Sequence, residues 1–205
     1  VWGEQSMKSM ALLSNLTSLT SLSLIRCSNL TVEGFNPLII VNLKELQVTS
    51  NNTLAADLLS KVARTKLLPA GYISRLEKLI VDNICGLLVA PICSLLAPSL
   101  HTLEFQYDGR VKSLTEEQEK ALQLLTSLEK LHFLWCYGLQ SLPQGLHRLS
   151  SLKELHVVGC LKIQSMPKEG LPVSLRELEM NWRSAEIDEQ IEKIKRTNPH
   201  LSVEE

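Results

Sequence analysis

Between Leu128 and Pro143 the apolar residues recur in a fixed order: Leu128, Leu131, Phe133, Cys136, Leu139, Leu142, Pro143. The same order returns 24 positions later as Leu152, Leu155, Val157, Cys160, Ile163, Met166, Pro167. The alternation around Leu131 and Phe133 has a period of two, which predicts a short strand with one buried face. Aligning the chain on L-x-x-L-x-L gives starts at Leu19, Leu43, Leu76, Leu100, Leu128, Leu152 and Leu175, in steps of 24, 33, 24, 28, 24 and 23 residues. Self-similarity at this period predicts one α/β domain over residues 1–205, a solenoid of about seven repeats. A curved parallel sheet would form its concave face, with helices and irregular turns on the convex face.

The two long steps carry segments with helical spacing. Leu54, Leu58, Leu59 and Val62 fall on one face, with Asp57, Lys61 and Arg64 outside it. Thr115-Glu-Glu-Gln118 has the form of a capping box ahead of Ala121, Leu122 and Leu125. Ile187, Ile191 and Ile194 make a third stripe, stopped by Asn198-Pro199, and residues 184–205 read as a C-terminal cap over the last turn. No comparable polar cap precedes Leu19, and the chain opens on Val1-Trp2, so the sequence is expected to be a fragment that continues N-terminally in a longer protein.

Composition narrows the function classes. The chain has 205 residues, 44% of them hydrophobic, enough for a substantial core. With 21 basic and 22 acidic residues it lacks the basic excess expected of a nucleic-acid or anionic-membrane binder. The most apolar stretch, Leu87–Ala97, is short and interrupted by Pro91, so no membrane span is expected. Five scattered cysteines do not suggest a secreted disulfide framework.

The repeats resemble leucine-rich repeats over almost the whole chain. Cys136-Tyr-Gly-Leu-Gln-Ser-Leu-Pro143 and Cys160-Leu-Lys-Ile-Gln-Ser-Met-Pro167 are similar to those of intracellular plant disease-resistance receptors of the nucleotide-binding, leucine-rich-repeat type. The coiled-coil class from cereals is the nearest resemblance. It implies a C-terminal piece of the repeat domain that restrains a nucleotide-binding switch and recognises a pathogen or insect effector or a guarded host protein. The implied compartment is the cytoplasm, with the nucleus as a second location. The N-x-L-x-G-x-I-P pattern of extracellular plant repeats is absent from the sequence. The Asn/Cys position of the repeat reads Cys27, Asn51, Cys136 and Cys160 in four turns, but Ile84, Asp108 and Arg183 in the others. Cys85 sits one place late, which predicts either a bulged or a differently routed turn there.

Two His-x-x-x-Cys pairs, His132/Cys136 and His156/Cys160, recur one turn apart. Such pairs suggest zinc, but the strand period aims each His outward and each Cys inward. Buried thiols and surface imidazoles are therefore expected, with no metal. No nucleophile motif appears, and Gly86, Gly109, Gly138 and Gly145 read as isolated turn glycines instead of a phosphate loop. No catalytic, metal or cofactor residues are expected.

Outward positions carry the remaining information. Lys44-Glu45, Glu77-Lys78, Glu129-Lys130 and Lys153-Glu154 place opposite charges across neighbouring turns, but Arg176-Glu177 sets like charge against Lys153-Glu154. Nearer the turn lie Tyr107, His132, Leu134, Trp135, His156, Val158 and Trp182. Exposed aromatics among apolar side chains resemble the centre of a protein interface, and Gly159 should leave a gap between Trp135 and Trp182 for a partner side chain. The expected function is a non-catalytic module that binds protein, either an effector, a guarded host protein, or the receptor's own nucleotide-binding and coiled-coil domains. The alternative is the substrate-recognition repeat domain of an F-box ubiquitin-ligase adaptor.

Overall fold

The computed structural model describes residues 7–51, 53–65, 68 and 71–204, so Val1-Trp2 and Glu205 lie outside the described residues. Two residues after each repeat start a strand begins: β1 (Ser21–Ile25), β2 (Glu45–Thr49), β3 (Lys78–Val81), β4 (Thr102–Gln106), β5 (Lys130–Leu134), β6 (Glu154–Val158) and β7 (Glu177–Met180). With β8 (Ser202–Glu204) they form one eight-stranded parallel sheet in chain order. The fold is α/β with helices on one side of the sheet, an arrangement compatible with a solenoid.

Register follows the repeat alignment residue for residue. Leu22 pairs with Leu46, then Leu79, Leu103, Leu131, Leu155 and Leu178 follow in line. From Leu46 to Leu178 these leucines have no exposed surface. A one-residue slip would turn each of them to solvent. Burying one leucine side chain stabilises by about 1.5–3 kcal/mol, so the register is held by the sum of its rungs. Phe105 and Phe133, one rung apart in this wall, stack with ring centroids 5.6 Å apart.

The longer steps house the expected helices. Helix α1 (Leu54–Arg64) buries Leu54, Ala55, Leu58, Leu59 and Val62. The apolar stretch 87–97 is divided between α2 (Ile84–Leu87) and α3 (Ala90–Leu96), with Pro91 in the first turn of α3, where its missing N–H is tolerated. Helix α4 (Glu116–Leu122) opens on the complete capping box of Thr115 and Gln118. Helix α5 (Ala185–Thr197) is capped by Ser184, buries Ile187 and Ile191, and gives way to Asn198.

The C-terminal end differs from expectation. Beyond α5 the chain adds β8, whose three residues are too short for a periodic signal. Before Leu19, a 3₁₀ turn over Met10–Leu13 joins the first rung, with Met7 and Met10 buried and Ser9 bridged to Thr31.

Strands end in a recurring backbone reversal. Arg26, Ser50, Tyr107, Trp135 and Trp182 all have φ between 57° and 61°, and Gly159 has φ 70°. Non-glycine residues rarely adopt this left-handed region. Here the conformation is held from the next rung, since the Tyr107 N–H donates to Leu134 O and the Trp135 N–H to Val158 O. The reversal points the following residue inward.

That inward residue ties each rung to its neighbour. Asn51 Nδ2 donates to the carbonyls of Cys27 and Leu30, at 2.8 and 2.9 Å. Buried Asp108 accepts from the N–H groups of Ile84, Arg110 and Val111 at 2.8–3.2 Å. The Cys136 and Cys160 thiols donate to Phe105 O and Phe133 O. Arg183 reaches instead to Asp188 of α5, pinning the cap. The third turn is routed differently, as the offset of Cys85 suggested. Asn83 has φ −135° and caps α2 through the Gly86 N–H, leaving Ile84 buried and Cys85 exposed. Gly86 therefore lies within a helix and is not a turn glycine, because Asn83 starts α2 where other rungs reverse.

Replacing Asp108 by Ala would strand three N–H groups and is expected to cost about 3 kcal/mol, read as a lower urea midpoint. Asn, which keeps one acceptor oxygen, should lose less. Asp82 gives a pH signature. Its Oδ2 accepts from the Asn51 N–H, but buried Oδ1 has no partner among the described residues. Burial pushes its pKa above the ordinary 3.8, against the opposing pull of the Asn51 and Ser50 amides. A raised folded pKa means the folded state holds the proton longer, so stability falls as pH rises through that window. Asp82→Asn should therefore be more stable than the parent chain at pH 7, with the gain shrinking as thermal melts are run toward pH 3.8.

Candidate functional site

The helix-free face of the sheet presents its outward residues in columns, and three of these make up the candidate site. The first holds the charges next to each repeat start. Lys44 pairs with Glu77 and Lys78 with Glu45, each at 3.0 Å, and Lys153 pairs with Glu129 at 2.7 Å. Lys130 also pairs with Glu154. Every opposite-sign facing read from the sequence is thus an ion pair. Exposed pairs of this kind contribute about 0.2–1 kcal/mol each, so they assist register more than they carry stability.

The second column runs Glu104, His132, His156, Glu179 in register. The two imidazoles stack face to face, centroids 4.3 Å apart and 6° from parallel. Both Nε2 atoms face Glu154 Oε1, at 2.9 Å from His132 and 3.2 Å from His156. His156 Nε2 is also 2.9 Å from Glu177 Oε1. On the far side of each ring, His132 Nδ1 faces Glu104 at 3.5 Å and His156 Nδ1 faces Glu179 at 3.2 Å. The like-charged facing of Glu154 and Glu177 is thereby resolved, since His156 bridges both carboxylates.

The electrostatics follow from these contacts. The hydrogen bond from His132 holds the Glu104 carboxyl below its usual range. Burial opposes ionisation of Glu154, but Lys130, His156 and His132 outweigh it, and its pKa is lowered too. The histidines are not open surface imidazoles: their side chains retain 12% and 18% exposure because ring and carboxylates cover one another. Sequence reading placed the imidazoles outward and the glutamates in separate columns. The i, i+2 spacing of Glu154-x-His156 and Glu177-x-Glu179, which sets them on one face, was the signal that joins them.

The third column turns apolar where Leu134 pairs with Val158, with Gln106 on the other side of Leu134. At its edge the left-handed residues project Tyr107, Trp135 and Trp182, which are 58%, 42% and 73% exposed. Tyr137, beside Trp135, extends this rim, and exposed Leu161 occupies the equivalent place one repeat later. They sit one place beyond the inward cysteines and had been missed because they lie past the strand, where period two no longer applies. The expected gap at Gly159 is absent. A Cβ there would collide with Trp135 Cε3, so the indole lies over the glycine and fills the space itself. Tyr137 stands against the same indole, centroids 6.4 Å apart.

The thiols face the other way. Cys136 and Cys160 are buried and donate to backbone carbonyls, which separates them from the histidines as the strand period requires. The adjacent Cys160 thiol, then burial, push the Cys136 thiol up, and burial alone pushes Cys93 up to about 12. Enclosed and held protonated, Cys136 and Cys93 are poor nucleophiles.

No protein-family model matches the chain, and no curated protein matches it. No helix among the described residues is long and apolar enough to cross a membrane.

The indole over Gly159 makes a sharp test. Gly159→Ala adds a methyl under Trp135 at a φ of 70°, and should destabilise by about 2 kcal/mol. In a Trp135→Ala background the steric share disappears, so the same substitution should cost clearly less. A double-mutant cycle from denaturant melts reads the difference.

Proposed function

We propose that this chain is a protein-interaction module, the C-terminal part of the leucine-rich-repeat domain of an intracellular plant immune receptor. Support for the repeat type comes from the C-x-x-L-x-S-L-P motifs together with a parallel sheet whose strands follow chain order at the repeat spacing. The observation that carries the binding role is the exposed rim of Tyr107, Trp135, Tyr137, Leu161 and Trp182 beside Leu134 and Val158. Large aromatics held on a rigid sheet lose little entropy on docking and are enriched at the energetic centres of interfaces.

In this reading the partner is protein, either an effector, a guarded host protein or the receptor's own switch domains. Binding would act by population shift: a partner that prefers the rim in one state of the receptor biases the switch toward that state. Such a device works in the cytoplasm and needs no chemistry in the repeats.

The double variant Trp135→Ala/Trp182→Ala should weaken capture of the upstream switch domain or of a recognised effector by at least about tenfold, equal to about 1.4 kcal/mol. A pull-down quantified against the unchanged chain checks it. Undiminished capture of both kinds of partner overturns the reading.

A further inference from the structure

We propose that the stacked histidine pair is a binding site for one zinc-class divalent cation, held by His132 Nε2, His156 Nε2, Glu154 and Glu177. The inference is independent of the proposed partner-binding role.

Three of these donors, on His132, Glu154 and His156, lie within 4.8 Å of one another. Glu154 Oε1 is 2.9 and 3.2 Å from the two Nε2 atoms, and Glu177 Oε1 is 2.9 Å from that of His156. A tetrahedral zinc with bonds of about 2.1 Å spaces its ligands about 3.4 Å apart. The Glu154 and Glu177 oxygens therefore need to open from these nitrogens by only a few tenths of an ångström to admit the ion. Glu177 is 40% exposed at its side chain and free to swing.

The outer contacts match what a metal-binding imidazole requires. Ligating histidines usually present the second ring nitrogen to a carboxylate, which fixes the tautomer and aims the lone pair at the metal. Both rings here have that arrangement, Glu104 behind His132 and Glu179 behind His156. Near-parallel packing of the rings holds both Nε2 atoms on the same side. To share one ion the two rings must splay from their stacked arrangement, so that lone pairs lying in parallel planes converge.

Charge and donor type set the class of ion. Two neutral imidazoles and two carboxylates balance a divalent cation, and mixed nitrogen and oxygen donors select zinc, cobalt, nickel or copper over magnesium or calcium. Lys130, paired with Glu154 through Oε2, competes with the ion for that carboxylate, while Oε1 faces the rings. The cysteines take no part, since their thiols are buried on the opposite side of the sheet.

Titrating the chelator-stripped full chain with Zn²⁺ in a calorimeter tests the site. One ion per chain is expected. Affinity should fall at least tenfold in His132→Ala, His156→Ala and Glu154→Gln, all checked for folding by circular dichroism. Glu104→Gln should weaken binding by a smaller factor, as loss of an outer contact does. Cobalt should give d–d bands without a thiolate charge-transfer band, and Cys136→Ser/Cys160→Ser should leave both stoichiometry and affinity unchanged. Absence of stoichiometric binding, full binding in the folded His132→Ala/His156→Ala double variant, or a thiolate band with cobalt would each overturn the proposal.

Discussion

A single rung of this chain cannot bury its own leucines; only the rung beside it can. Leu46, Leu79, Leu103 and Leu131 are dry because each lies against its equivalent in the neighbouring strand. Other features inherit that register. The lysine–glutamate pairs meet because the strands that carry them are aligned. So do the two imidazoles, the Phe105–Phe133 stack and the thiols that reach the carbonyls of the preceding strand. Local interactions of small individual worth thus become reliable through repetition.

The inward half of the molecule was legible in the sequence for the same reason. Repetition amplifies a weak periodic signal, so strand positions, the α1 and α4 stripes and the capping box at Thr115 could be read directly. The outward half was legible only in part. Facing charges such as Lys44 and Glu77 could be paired by counting, because they are in the same column. His156 bridging Glu154 and Glu177 requires contacts that cross from one column to the next, and a linear alignment has no such dimension. Trp135 lying over Gly159 was hidden for a related reason: glycine looks like a hole until the rotamer of its neighbour is known. Strand β8 escaped because three residues cannot establish a period.

Across the helix-free face, chemistry changes steadily from one border to the other. Ion pairs occupy the border near the repeat starts, the histidine–glutamate cluster the middle, and Leu134, Val158 and the aromatic rim the border near the turns. Each type of group sits where its solvation suits it. Charged side chains near the repeat starts retain water, and the imidazoles are largely covered and faced by carboxylates. The aromatics cap an edge where backbone geometry forces them outward.

The non-glycine residues at left-handed φ, five among the described residues, have a broader consequence. That conformation disfavours L-residues by about 1–2 kcal/mol each, so a chain optimised for thermal endurance alone would use glycine at every such corner. Here one of these corners is glycine and three are tyrosine or tryptophan. The backbone is compelled by its neighbour whatever side chain it bears, which leaves that side chain free to diversify at a constant penalty. Substitution at these corners therefore changes which side chain the helix-free face presents, while the leucine wall behind it is built from other positions.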